Sequence, residues 1–276
     1  MLRRFTLLIT MFALLASVSF LPQQAATATS AQNDKNITAE NVAESVIYVY
    51  GTRPALEQVR RNGIERGRMT RTNSEGRTEE SSYVRSFIRG ENSAKDKIRI
   101  DQKSPTVEYA MVYGEGRTWG IINGASFTPR EESIADFLSQ KWHNIDALLR
   151  YKEDGSTITL VGKDKQMGVD LHVLDLTDKE NHRTRYYISA KTLRVLSLEY
   201  ELAPAGGGGK PVKFTKRFYD YRIAQGTLVP YRTVLYENGK QMQETRLLTI
   251  TYGIKMEDSV FHNPDSPTTT TTTTQP

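Results

Sequence analysis

Apolar positions recur along this chain with two periods, and the switches between them divide it. Behind Thr38, which can cap a helix, Val42, Val46, Ile47 and Tyr50 fall on one face at three- and four-residue steps. Gly51-Thr52 interrupts that face, and Pro54 suits the first turn of a second short helix running to about Asn62-Gly63. From Ile64 the period drops to two. Ile98 and Ile100 alternate with Lys97, Arg99 and Asp101, and Val107, Tyr109, Met111 and Tyr113 alternate with Glu108 and Ala110. Such alternation marks half-buried strands. Tyr113-Gly-Glu-Gly then turns the chain into a strand carrying Trp119 and Ile121.

The helical period returns once. Thr128 and Glu131 form a capping pair, Pro129 suits a first helical position, and Ile134, Phe137, Leu138, Trp142, Ile145, Leu148 and Leu149 follow at helical steps. This predicts one amphipathic helix bent near His143-Asn144, or two. Beyond Tyr151 the strands resume, with Ile158 and Leu160, then Val169, Leu171 and Val173, then Leu196, Leu198, Tyr200 and Leu202. Gly206 to Gly209 reads as a flexible loop. Residues 218–241 supply two more strands, and Asn238-Gly239 is the strongest hairpin signal in the chain. Pro230 cannot donate to a ladder, which predicts an edge or a bulge there.

About ten strands on short turns predict an antiparallel sheet. A sheet that long curls, and these helices are too few to cover both of its faces. The pattern therefore predicts a β-rich α+β fold, a strongly curved and unclosed half-barrel with the helices packed on its concave face. Near the C-terminus both faces are apolar, since Leu228, Val234 and Tyr236 oppose Val229, Tyr231 and Leu235.

The ends change the picture. Arg3 and Arg4, an apolar run from Phe5 to Leu21 and the small-x-small site Ala26-Thr27-Ala28 predict an export signal over residues 1–28. Residues 29–37 then read as a linker, 38–264 as the folded domain, and 265–276, with threonines from Thr268 to Thr274, as a disordered tail. With no cysteine, an exported chain has neither disulfides nor a lipidated cysteine, so the mature protein is expected to be soluble. Without Arg3 and Arg4 the net charge falls from +5 to +3, too mild and too scattered for nucleic acid.

Catalytic chemistry is hard to place. The histidines, His143, His172, His182 and His262, lack metal-ligand spacing. No zinc-protease, nucleophile-elbow or phosphate-loop motif appears. Asp220 and Glu199 read as solvated strand carboxylates. The expectation is a binding protein with no catalytic residues, no metal and no cofactor. Candidate cavity residues are Tyr109, Met111, Trp119, Phe137, Leu138, Trp142, Leu198, Tyr200 and Phe218.

One stretch is more specific. "FYDYRIAQGTLVPYRTVLYENGKQMQETRLLTITYGIKMEDSVFHNP" places Phe218, Asp220, Arg222, Gly226, Pro230, Asn238, Gly239, Phe261 and Pro264 in an order that resembles the LolA/LolB-like outer-membrane lipoprotein-sorting family. "NIDALLRY", ending the mid-chain helix, resembles it too. The resemblance implies a half-barrel with a helical lid over an apolar cavity. It also implies carriage of lipid or lipoprotein acyl chains through the periplasm, by a monomer working between an inner-membrane donor and an outer-membrane acceptor. Arg89 matches the position of the arginine that helps hold the lid in the family carrier, although Gly90 stands where that carrier has proline. A non-transporting envelope binding or sensor module of the same fold is the alternative.

Overall fold

The computed structural model describes residues 37–73, 75–203 and 209–265. The predicted signal (1–28), all but the last residue of the predicted linker (29–37) and nearly all of the predicted tail (265–276) lie outside the described residues. The chain divides after Ile37, and the unit from Thr38 onward carries all the described secondary structure.

That unit opens with α1 (Ala39–Tyr50) and α2 (Arg53–Val59). Thr38 caps α1 as expected, its hydroxyl accepting from the Asn41 amide at 3.1 Å. The helix buries Val42, Ala43, Val46, Ile47 and Tyr50. α2 ends earlier than its sequence suggests, because Asn62-Gly63 already belongs to β1 (Asn62–Thr72).

β2 (Thr78–Ile88), β3 (Lys97–Lys103), β4 (Glu108–Gly114), β5 (Arg117–Ile122) and the short β6 (Ala125–Phe127) follow as a meander. α3 (Glu131–Trp142) and α4 (Ile145–Leu149) come next. A second meander runs through β7 (Thr157–Gln166), β8 (Val169–Thr177), β9 (Arg183–Ser189), β10 (Val195–Leu202), β11 (Val212–Ala224), β12 (Thr227–Glu237) and β13 (Lys240–Tyr252). A single-turn 3-10 helix, Asp258–Phe261, follows β13.

The first and last strands, β1 and β13, pair antiparallel and fuse the two meanders into one sheet of thirteen strands. β6 and β7 lie at its two ends and do not pair with each other, so the half-barrel stays open. Each edge is blunted. β6 spans three residues, and β7 carries a bulge at Val161, followed by Lys163 and Lys165.

Curvature is written into β1. Gly63 and Gly67 stand opposite Phe87 and Tyr83 of β2, whose rings lie across the glycines on the concave side. A Cβ on Gly67 would come within 2.4 Å of the Arg246 carbonyl oxygen and 2.6 Å of the Tyr83 ring. Neither the backbone nor a buried ring can retreat far. We expect Gly67→Val to cost about 2–3 kcal/mol and to lower the melting temperature by several degrees, read by circular dichroism.

The mid-chain helix breaks where expected. Asn144 caps α4, its side-chain oxygen accepting from the Ala147 amide at 2.8 Å. Its start differs from the sequence reading: Arg130 holds the extended capping position and the helix begins at Glu131, while Pro129 is buried just ahead of it. Pro230 lies on a local edge of the sheet, where β12 pairs with β11 alone. β12 pairs with β13 only from Arg232 to Glu237, so the face of Pro230 toward β13 has no ladder to interrupt.

Candidate functional site

The two halves of the concave face are filled differently. Over β7 to β10 it is sealed: Leu174, Tyr186, Ile188 and Leu198 are all fully buried, and α1 contacts both β7 and α4. Tyr186 also donates its hydroxyl to the Asn144 carbonyl at 2.7 Å. Over β1 to β4 and β11 to β13 the helical layer does not fill the space: α3 covers most of it, with α1, α2 and α4 reaching only its inner end.

Two adjoining chambers result. The inner one, about 260 Å³, is floored by Phe87, Ile98, Phe218, Val229, Tyr231 and Leu247 and roofed by Phe137, Gln140 and Ile145. The outer one, about 600 Å³, lies between α3 and β3–β6, with Tyr109, Met111, Ile122 and Phe127 in its wall. Met69, Ile100, Phe137 and Gln140 line both, so the chambers meet at the Phe137 ring.

The inner chamber exists because the sheet splays. Past Arg232 the strand β12 leaves β13, and Leu247 to Tyr252 pair with β1 alone. Arg60, just beyond α2, fills the gap. Its guanidinium donates to the Leu228 carbonyl at 2.7 Å and stacks over the Tyr252 ring.

Charged groups ring this apolar space. Asp146 on α4 binds two arginines, Arg60 at 2.9 Å and Arg89 at 2.7 Å. The arginine side chains are only 7 % and 11 % exposed, whereas Asp146, which lines the chamber, is 34 % exposed. Burial by itself would raise the Asp146 carboxyl, but Arg89 and Arg60 hold it well below the usual carboxylate range. Arg85 pairs with Glu65 at 2.8 Å and lies over the Phe87 ring. Lys216 on β11 has no such partner among the described residues. Only 9 % exposed, it donates to the His143 carbonyl at 2.8 Å, and burial pushes its pKa down to about 8.

"NIDALLRY" is the segment that fastens the roof. Besides Asp146, Arg150 makes a two-oxygen pair with Asp96 at 3.1 and 3.0 Å and donates to the Gly90 carbonyl. Tyr151 donates to Glu44 of α1 at 3.0 Å.

The candidate cavity residues fall into four groups. Tyr109, Met111, Phe137 and Phe218 line the chambers. Leu138 is half-buried and packs on the core beside Phe87, Met111 and Tyr113, outside the chamber walls. Leu198, Tyr200 and Trp142 lie under the other end of the helical layer: Tyr200 stacks on His143 at 4.0 Å and Trp142 on His182 at 3.8 Å. Trp119 pairs with Val112, which puts it on the face opposite Met111 and against Gly114. Sequence reasoning did not single out Arg60, Tyr83, Arg85, Asp146 or Lys216. Lys216 stands between Phe214 and Phe218 in period two, which marks an inward-facing position and not a site residue.

The carboxylates Glu199 and Asp220 are not brought together. Glu199 is engaged by the Tyr187 hydroxyl at 2.8 Å and Lys213 at 3.0 Å. Among the described residues, Asp178, Glu180 and His182 are the group close enough to hold a cation. Asp178 there is occupied by the amides of Glu180 and His182, as in an ordinary turn.

No family model matches this chain. No curated protein matches it either. Solved structures do. A DUF1329 family protein from Desulfovibrio piger superposes with a TM-score of 0.58 at 12 % identity, covering 81 % of this chain and 97 % of the other. The LolA superfamily protein NE2245 from Nitrosomonas europaea gives 0.56 at 12 %, covering 82 % and 98 %. An outer membrane lipoprotein-sorting protein domain from Vibrio parahaemolyticus gives 0.55 at 14 %, covering 79 % and 97 %. Identities this low carry architecture alone, and the architecture they carry is the LolA-like unclosed half-barrel.

Proposed function

We propose that this chain is an exported carrier that holds acyl chains of lipids or lipoproteins between its curved sheet and α3. It would move them across the periplasm from an inner-membrane donor to an outer-membrane acceptor. The observation that carries this reading is the unfilled apolar space on the concave face. A protein whose sheet served only to present its outer surface would gain stability by closing that space, since buried voids cost packing energy. Arg89, through Asp146, is the contact we assign to holding the helical roof. Among the described residues no helix is long and apolar enough to cross a membrane.

The chamber size suits the cargo. A methylene occupies roughly the volume of a water molecule, ~30 Å³, so the inner chamber takes about eight. Beyond that the chain must pass Phe137 into the outer chamber. The sensor alternative calls for a filled core, and the chambers count against it.

Organic extracts of the purified protein should contain acyl lipid by mass spectrometry. After delipidation, the full chain should bind a fluorescent fatty-acid probe that natural acyl lipids displace. Thr233 lines the inner chamber from a central strand. Thr233→Trp should fill it and weaken the probe at least tenfold while leaving the far-ultraviolet circular dichroism unchanged. A delipidated wild-type protein that binds no acyl probe would sink the carrier reading.

A further inference from the structure

The cations of the inner chamber are not equivalent. Arg60 and Arg85 each meet a carboxylate, Asp146 and Glu65. Lys216 meets none among the described residues, although it is as deeply placed as either. It sits mid-strand with Phe214 and Phe218 two residues away on the same face. Leu198 lies opposite it on β10 and Leu235 on β12. Those neighbours make a site suited to a leucine. An ammonium has three donors, and the His143 carbonyl takes one. Buried charges are as a rule paired, and this one opens onto a cavity large enough for a ligand. The lining as a whole leans the same way, with four cations (Arg60, Arg85, Lys141, Lys216) against two carboxylates (Glu65, Asp146).

Resting on the acyl-carrier reading above, we infer that the cargo is an amphiphile headed by an oxyanion, a carboxylate or a phosphate. Its head pairs with Lys216 and its chain runs beneath Phe137. The ligand supplies the counter-charge that the fold omits. The helical layer adds direction: Lys216 already reaches the carbonyl end of α3 at His143, so the head is fixed at that end and the tail is directed toward the outer chamber.

The test uses the delipidated full chain and four ligands with twelve-carbon chains, followed by titration calorimetry. These are dodecanoate, dodecyl phosphate, dodecanol and dodecyltrimethylammonium. At about pH 7, dodecanoate or dodecyl phosphate should bind at least about tenfold more tightly than dodecanol, with the ammonium weakest. Which of the two anions leads tells a carboxylate head from a phosphate head.

The preference should shrink between about pH 7 and about pH 9.5 as Lys216, held near pKa 8 by burial, loses its proton. Of the other groups facing this space, Arg60, Arg85 and Asp146 keep their charge over that window, and Glu65 is paired with Arg85. His143 stays neutral, pushed down to about 3 by burial with Lys216 beside it. The window also stops below the ordinary tyrosine range of about 10, and burial pushes Tyr50, Tyr83 and Tyr252 higher still. Lys141 is also pushed down by burial, so Lys141→Gln, expected to retain the pH effect, separates it from Lys216.

Lys216→Met should bind all four ligands within a few-fold of one another, and Lys216→Arg should keep the preference. Dodecanol binding as tightly as both anions to wild-type protein overturns the inference and leaves the acyl-carrier reading standing. So does a Lys216→Met protein that keeps the preference. Should none of the four bind, the carrier reading fails and this inference falls with it.

Discussion

Asp146→Asn should lower the melting temperature by about 5–10 °C. The carboxylate is the shared partner of Arg60 and Arg89, and its loss strands two guanidiniums that have little access to water. Removing one partner of a dry buried ion pair costs roughly 3–5 kcal/mol. Asp146 is 34 % exposed, so water offsets part of the loss and about 2–3 kcal/mol is expected, or a few degrees per kcal/mol in a domain of this size. The acid limb of the stability curve should change as well. Asp146 titrates below its unfolded value, so its contribution is complete above about pH 4 and is lost as the pH falls through the folded value. Wild type should therefore lose stability on acidification more steeply than Asp146→Asn. An Asp146→Leu, Arg60→Met, Arg89→Met triple variant should recover most of the stability, because a buried ionic cluster can be replaced by apolar groups of similar size. A wild-type melting temperature in Asp146→Asn would show that the arginines hold the roof without it.

That network also marks where the sequence could and could not be read. Element type was legible wherever one period ran uninterrupted. The helical face from Val42 to Tyr50, the bend at His143-Asn144 and the Asn238-Gly239 turn all lie where the chain's own chemistry puts them. The two turn residues have φ of 46° and 85°, the left-handed values that Asn and Gly tolerate.

Faces were harder. Register shifts at Arg66/Gly67, Leu160/Gly162, Val195/Ser197 and Leu235/Tyr236 each break the link between parity and side. Trp119 is a different case. Counting outward from the turn at Glu115-Gly116 pairs it with Val112, so its side was available in the sequence. Asp146 and Lys216 were not legible as site residues. A carboxylate in a short helix and a lysine in a basic strand acquire meaning only when Arg60, Arg89 and His143 arrive from distant parts of the chain.

The chambers make a prediction about chain length that no single wall residue does. Each methylene moved from water into an apolar space contributes roughly 0.8 kcal/mol, close to fourfold in affinity. From eight to sixteen carbons, saturated fatty acids should therefore gain about 6 kcal/mol before the cost of ordering the chain. Phe137 stands where the inner chamber, with room for about eight methylenes, meets the outer one. In wild type the gain should continue past that length, because the ring can turn aside and let the chain through. Phe137→Trp should leave the short acids almost unaffected and stop the gain near eight to ten carbons, since the larger ring closes the passage without adding charge. Phe137→Ala should restore the full slope and lose stability instead, at the ~3–5 kcal/mol typical of truncating a buried phenylalanine. Displacement titrations across the acid series read all three. A plateau near eight carbons in wild type would confine the cargo to the inner chamber, and a flat series would mean that acyl chains are not what these walls enclose.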